Sequence, residues 1–128
     1  MIIRVTMVLL CGIGLYASAF MARKAARAAR GDLTEPSVVA TSRARVAGGV
    51  SNAAIGLVYY CAVVICIPFV HIGFVWWAAV GAASVAAAFS LYLAYSLLFV
   101  TRMPCVYCWT GHAVNWSLWL LLVLTQRP

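Results

Sequence analysis

Long stretches without charged residues are the feature that most limits how this chain can fold. A helix needs about 20 apolar residues to cross the hydrocarbon of a bilayer. Four uncharged stretches reach roughly that length, at about residues 5–21, 52–70, 74–100 and 104–125. Within lipid the backbone must satisfy its own hydrogen bonds, so such stretches form helices. We expect an all-α integral membrane protein, a four-transmembrane-helix bundle that forms a single domain over residues 1–128.

Composition points to the bilayer and away from other partners. The chain is 66% hydrophobic and only 9% charged, and its mean hydropathy is +1.04. A soluble domain needs more polar residues than this to cover its surface. The net charge of +7 would suit nucleic acid, but it comes from few residues that are concentrated in loops. We therefore expect lipid, and no nucleic acid, around this protein.

The one long connection, residues 22–51, differs in composition from the rest of the chain. Its first part, ARKAARAAR, carries basic residues at helical spacing, which predicts that the first helix continues into the lipid headgroups. Gly31 is expected to end that helix. We interpret the basic run as a face toward water or headgroups and not as a ligand site. The remaining residues predict a loop that caps one end of the bundle.

Positive charge is distributed unequally between the two ends of the predicted bundle. Four spans place the long loop and the turn before Cys105 on one side, and both termini on the other. The positive-inside rule alone would send the loop side to the cytoplasm. The residues on the loop side are Arg23, Lys24, Arg27, Arg30, Arg43, Arg45 and Arg102, and those on the other side are Arg4 and Arg127.

The sharpest chemical motif is the pair Cys105 and Cys108, which opens the fourth span. Cysteines three apart at a helix start lie on one face, within reach of a disulfide. The free N–H groups and positive dipole end there stabilise a thiolate. The motif therefore predicts a redox-active pair. A metal site that also used His112 lacks an obvious fourth ligand, so we expect no metal.

The polar face of the fourth span continues below the cysteines. His112 and Asn115 follow Cys108 at spacings of four and three, and polar groups inside a membrane helix face a cavity or a partner helix. For Asn115 a bond to a neighbouring helix is the favoured interpretation, whereas His112 fits either role. Asn52 opens the second span, where it suits a ligand contact or a helix cap.

Small residues recur every four positions in the third span. Such a stripe is typical of a helix whose backbone is closely approached by a neighbour. Its members are Ala78, Ala82, Ala86, Ser90 and Ala94.

These features together resemble the vitamin K epoxide reductase family of membrane thiol oxidoreductases. The resemblance rests on four spans, a long first loop, Asn52 at the second span and C-x-x-C at the fourth. It covers most of the chain. The strings that carry it are LYASAFMARKAARA, SNAAIGLVYY, SLYLAYSLLFV and CVYCWTGHAVNWSLW.

The resemblance implies a four-helix bundle that encloses a quinone of the vitamin K, menaquinone or ubiquinone type. Cys108 would be the thiol that faces the quinone, and Cys105 the thiol that exchanges with an incoming thiol. The expected enzyme is a quinone-linked thiol oxidoreductase that transfers two electrons between the pair and the quinone, in reduction of the quinone or its epoxide or in disulfide formation.

The resemblance also implies the walls of the quinone site. Asn52 would donate a hydrogen bond to one quinone oxygen. His112 stands where animal members carry a tyrosine that bonds the other oxygen, and its imidazole N–H can make that bond. The residues expected to form the apolar wall are Ile55, Tyr59 and Leu93.

The first loop departs from the family pattern because it contains none of the chain's five cysteines. Thr34 and Ser42 stand about where the family has two relay cysteines. A thioredoxin-like protein or a small thiol would then have to reach Cys105 directly. The alternative is a catalytically degenerate relative, or a non-enzymatic scaffold for a redox partner. The family places the pair on the extracytoplasmic side, in the periplasm or ER lumen, contrary to the charge distribution.

Overall fold

The computed structural model describes residues 1–46 and 49–125, and this part of the chain is almost entirely helical. Apart from an isolated bridge between Arg45 and Ser51, it contains no β-structure. The four long helices are α1 (Ile2–Ala29), α2 (Asn52–Cys66), α3 (Gly73–Tyr95) and α4 (Val106–Leu124).

Helix α1 runs through the basic segment, so the first part of the predicted 22–51 loop is helical. Arg27 lies in its last turn, where positive charge complements the helix dipole. Gly31 follows with φ of 77°, a left-handed conformation that glycine adopts without steric cost. Residues 31–46 and 49–51, which we call the cap loop, then cross one end of the bundle.

The cap loop is built from two short 3-10 helices, Val38–Ala40 and Ser42–Ala44. Val39 is buried to 3% exposure and anchors the loop against α1, with which the first 3-10 helix is in contact. Helix α3 is followed by a π-helical turn, Ser96–Thr101, whose first residue is hydrogen-bonded to Arg43 of the cap loop. Arg102 follows this turn with φ of 52°, and its left-handed conformation redirects the chain toward α4.

Three helical segments of the described chain are long and apolar enough to cross a membrane: Ile2–Ala29, Asn52–Phe69 and Gly73–Thr101. Helix α4 has 19 residues but carries more polar side chains on its inner face. It packs against α1 and α3 as a full member of the bundle. The predicted fourth span stays a prediction.

The tightly packed core occupies the half of the bundle that lies away from the cap loop. Its residues come from the start of α1, the end of α2, the start of α3 and the end of α4. The Trp76 indole N–H donates to the Leu122 carbonyl oxygen at 3.0 Å and joins α3 to α4 there. The buried core side chains are Met7, Cys11, Tyr60, Val63, Ile67, Ala79, Ala83, Val114, Leu118 and Leu122.

The small-residue stripe of α3 does not act as predicted along its whole length. Ala78 and Ala82 are exposed, whereas Ala79 and Ala83, one position further along, are buried against the neighbouring helices. The close approach therefore uses an adjacent helix face. The prediction was wrong for Ala78 and Ala82 because alanine occurs on every face of α3, so spacing alone did not identify the packed face.

Gly14 allows the closest contact between α1 and α2. A Cβ atom at this position would lie 2.5 Å from Cζ of Tyr60 and 2.6 Å from its Cε1. Tyr60 is itself 2% exposed, and a hydrogen bond from its hydroxyl to Asn115 holds it in place. The missing side chain of Gly14 thus provides the space that the Tyr60 ring fills.

We predict that Gly14→Ala destabilises the bundle by about 1–3 kcal/mol, the usual cost of overpacking. Gly12→Ala is the matched control, because a Cβ atom at Gly12 on the same helix meets nothing within 4 Å. Unfolding in mixed detergent micelles measures both. Equal stabilities of the two variants would contradict the proposed packing.

Candidate functional site

A cavity of about 480 Å³ lies between the helices, in the half of the bundle beneath the cap loop. Its volume is in the range that accommodates a small organic ligand. Alanine, valine, leucine, phenylalanine and tyrosine side chains form most of its wall, and a few polar groups converge on it. An apolar cavity with few polar contacts suits a flat, largely apolar ligand head.

The cysteine pair lies at the end of α4 that borders this cavity. Cys105 and Cys108 form a disulfide, with their Cα atoms 5.3 Å apart. Cys105 is also the N-cap residue of α4, and its Sγ accepts a hydrogen bond from the Cys108 backbone N–H at 3.2 Å. Cys108 lines the cavity, whereas Cys105 is not part of its wall. The two sulfurs therefore have different surroundings.

The structure brings the other sequence-predicted residues to the same cavity. Asn52, Ile55 and Tyr59 approach it from α2. Leu93 approaches from α3, and His112 from α4, one turn below Cys108. All of these residues line the same cavity as Cys108. Their contacts with a ligand stay predictions.

Asn52 is held by the cap loop. Its Nδ2 donates to the Arg43 carbonyl oxygen at 2.8 Å, and its Oδ1 is buried without a hydrogen-bond partner. The carbonyl can only accept, so this bond fixes which end of the amide is the nitrogen. The helix cap of α2 is Ser51, whose Oγ accepts from the Ala54 N–H at 3.2 Å. The capping interpretation of Asn52 is therefore wrong.

The His112 side chain is buried beside two tryptophan rings. Its ring centroid lies 5.9 Å from that of Trp109, edge to face, and 6.1 Å from that of Trp116. Within the described chain neither ring nitrogen of His112 takes part in a hydrogen bond. A ligand oxygen in the cavity would provide a partner for a buried imidazole.

A hydrogen-bonded network crosses the bundle along the cavity wall. The Tyr60 hydroxyl on α2 donates to Asn115 Oδ1 at 2.7 Å and lies 3.3 Å from the Gly111 carbonyl oxygen. Asn115 Nδ2 donates in turn to Ser90 Oγ on α3 at 2.7 Å. Asn115 thus bonds neighbouring helices, as the favoured interpretation had it. Sequence reasoning missed Tyr60, because nothing local distinguishes it from Tyr59.

Arg43 was also missed, since it looked like one more basic residue of the long loop. One guanidinium nitrogen donates to the Tyr92 hydroxyl at 2.7 Å and to Ser96 Oγ at 3.2 Å. The guanidinium carbon lies 5.6 Å from the Tyr92 ring centroid, a cation–π distance. Arg43 and Ser96 both line the cavity. No local signal in the sequence distinguishes Arg43 from the other basic residues of the loop.

The cavity is open on the side where α2 faces α3. These two helices contact each other at few positions, whereas α1–α2, α3–α4 and α1–α4 are packed along their lengths. Ile55 on α2 and Val85 on α3 line the cavity and yet are 41% and 71% exposed. In a bilayer such residues face lipid. We therefore expect the opening to connect the cavity with the hydrocarbon region of a bilayer.

The remaining cysteines lie apart from this site. Cys11, Cys61 and Cys66 are free, and none of them lines the cavity. Within residues 1–46 and 49–125, no group of three or more His, Cys, Asp or Glu side chains is arranged to hold a metal ion. Cys105 and Cys108 are therefore the cysteines that lie next to the cavity.

Comparison with known proteins agrees with this architecture. The chain matches the sequence model of the vitamin K epoxide reductase family over residues 5–123, which is nearly its whole length. A search of curated proteins gives no match.

We predict that only three cysteines react when the oxidised protein is denatured and alkylated without reductant, because Cys105 and Cys108 are joined. Prior reduction should make all five cysteines reactive. Intact mass and peptide mapping locate the labels. Labelling of Cys108 without reduction, or protection of Cys61, would contradict the observed pairing.

Proposed function

This chain belongs to the vitamin K epoxide reductase family, whose members are membrane thiol oxidoreductases, and we propose that it transfers two electrons between Cys105–Cys108 and a quinone. The observation that carries the proposal is the position of Cys108 in the wall of a lipid-open cavity whose size suits a quinone head. An integral membrane protein with such a cavity can bind a lipid-soluble redox partner directly from the bilayer.

The residues present fit a quinone. A bound quinone would supply a conjugated dione ring that accepts two electrons and two protons, and the corresponding hydroquinone would release them. Leu93 and Ile55 offer apolar contact to that ring. Asn52 keeps a second N–H for a quinone oxygen, and its unpartnered Oδ1 accepts from a hydroxyl of the reduced form. His112 is the second polar contact.

Cys108 is the sulfur that exchanges electrons with the bound ring. In the reducing direction the Cys108 thiolate donates toward the ring and the disulfide with Cys105 forms. The dithiol loses two electrons and two protons, and the quinone gains both. Asn52 and His112 stabilise negative charge that develops on the ring oxygens, as preorganised donors do in other oxyanion sites. In the disulfide-generating direction the same steps run in reverse.

Cys105 resets the pair by exchange with an external thiol. A thiolate attacks Cys105, the disulfide breaks, and a second thiol completes the exchange. The cap loop contains no cysteine, so a thioredoxin-like protein or a small thiol reaches Cys105 directly. We propose that this end of the bundle faces the extracytoplasmic side, where disulfides persist, although most of the basic residues lie there too.

The missing loop cysteines also favour one alternative, a relative that has lost catalysis and serves as a membrane scaffold for a redox partner. The two functions differ in a simple observation. In an enzyme the oxidation state of Cys105–Cys108 follows the redox state of added quinone, whereas in a scaffold it does not.

We predict that Cys108→Ser abolishes quinone-coupled thiol oxidation or reduction in reconstituted protein, because the sulfur facing the ring is lost. Cys61→Ser is the control, since Cys61 is free, exposed and outside the cavity. Consumption of dithiol with menaquinone, ubiquinone and vitamin K epoxide measures turnover. Normal turnover by the Cys108 variant would exclude the proposed mechanism.

We predict that Val85→Trp slows turnover of quinones with a long isoprenoid tail, because a large ring at the opening between α2 and α3 obstructs the tail. A tailless quinone should be affected much less. Val58→Trp is the matched control, since Val58 is equally exposed at 72% but lies outside the cavity wall. The ratio of kcat/KM for the two quinones is the measurement. An unchanged ratio would mean that quinones do not enter the cavity between α2 and α3.

A further inference from the structure

Arg43 is the only charged residue in the described wall of the cavity. Its guanidinium is bonded to Tyr92 and Ser96, which are neutral, and its carbonyl oxygen accepts from Asn52. The residue is thus fixed at both ends to groups around the cavity. A half-buried positive charge at the edge of an apolar cavity is stabilised when a negative charge lies close to it.

The chain offers no such negative charge. It contains only two acidic residues, and both are paired elsewhere. Asp32 lies 3.1 Å from the Arg30 guanidinium, and Glu35 lies 3.6 Å from the Lys24 ammonium. Neither acid lines the cavity. Neither acidic side chain therefore neutralises Arg43, and a negatively charged ligand could do so.

We propose that Arg43 is an anion-binding residue of the cavity, which selects ligand heads that carry negative charge on a ring oxygen. This assignment rests on the proposed quinone function and adds a ligand class to it. The relevant ligands are quinone-type rings with an acidic hydroxyl, and the reduced ring when electrons arrive before protons. Arg43 provides several N–H donors in a fixed plane, and two hydrogen bonds to neutral groups leave others free.

The electron balance of the proposed reaction gives this charge a role. As the S–S bond of Cys105–Cys108 forms, two electrons leave the dithiol and enter the ring, and two protons follow. If the electrons arrive before the protons, a ring oxygen carries negative charge until the protons reach it. A cation beside that oxygen stabilises the charged form relative to the neutral quinone, so Arg43 favours transfer toward the ring.

Two matched compounds test the proposal by binding alone. A hydroxynaphthoquinone is acidic enough to be an anion at neutral pH, and the corresponding methoxynaphthoquinone has nearly the same shape without the charge. Binding is measured in nanodiscs of phosphatidylcholine, and again in nanodiscs that contain phosphatidylglycerol. The quantity of interest is the ratio of the two dissociation constants.

Four variants separate charge from structure. Arg43→Gln removes the charge and Arg43→Lys retains it. Tyr92→Phe removes one bond that holds Arg43 in place. Arg45→Gln removes an equal charge from the same loop, at a residue outside the main cavity.

We expect Arg43→Gln to weaken binding of the anionic compound by about ten- to a hundredfold, the loss that accompanies removal of a hydrogen bond to a charged group. Binding of the neutral compound should change little. Arg43→Lys should keep most of the preference, and Arg45→Gln and Tyr92→Phe should keep nearly all of it. The preference should persist in both kinds of nanodisc.

Three results would overturn the assignment. Equal weakening of both compounds by Arg43→Gln would mean that Arg43 only holds the cap loop in place. A similar loss in Arg45→Gln would mean a general surface-charge effect. Disappearance of the preference in phosphatidylglycerol would identify a lipid phosphate as the partner of Arg43.

The same measurements distinguish failure of this assignment from failure of the proposed function. Failure of wild-type protein to bind the neutral compound would contradict the proposed function. Binding of the neutral compound without a preference for the anion would contradict only the role of Arg43.

Discussion

The hydrogen bonds that join Tyr60, Asn115 and Ser90 are the interaction on which the site depends. They connect α2, α4 and α3, although α2 and α3 themselves make few direct contacts. Each such bond inside a membrane protein contributes about 0.6 kcal/mol on average, and up to about 1.7 kcal/mol. Their main effect is geometric. They hold two helices at a fixed separation without filling the space between them, and a cavity remains above the packed core.

The division of the bundle into a packed half and a hollow half follows from the side chains on each helix. In the packed half, α4 presents Leu118 and Leu122, and α3 presents Ala79 and Ala83. In the other half α4 turns Cys108 and His112 inward. Polar groups in lipid need partners within the protein, so this half closes around polar contacts and a ligand-sized space. The location of the cavity is therefore a consequence of where α4 becomes polar.

The sequence alone was sufficient to predict the class of fold and the order of its helices, because charge-free stretches of bilayer length permit few structures. The family resemblance identified several of the residues that line the cavity, among them Asn52, His112 and Cys108. It did not identify Arg43 or Tyr60. Their roles depend on contacts between residues about 50 positions apart, and no local pattern encodes such contacts. The stripe on α3 was misread for a related reason, since alanine spacing does not show which face meets a neighbour.

The capping bond at the start of α4 connects the proposed chemistry to the backbone. The sulfur of Cys105 that would meet an incoming thiol also accepts a hydrogen bond from the Cys108 N–H, in the first turn of α4. If the pair exchanges with a thiol as proposed, the hydrogen bond to this sulfur changes with it, and so does the capping of the first turn of α4. Tyr107 lies in that turn and stacks on Phe20 at 4.1 Å. The first turn of α4 therefore connects the Cys105 sulfur with an aromatic contact on α1, and we expect the oxidation state of the pair to affect how these two helices meet.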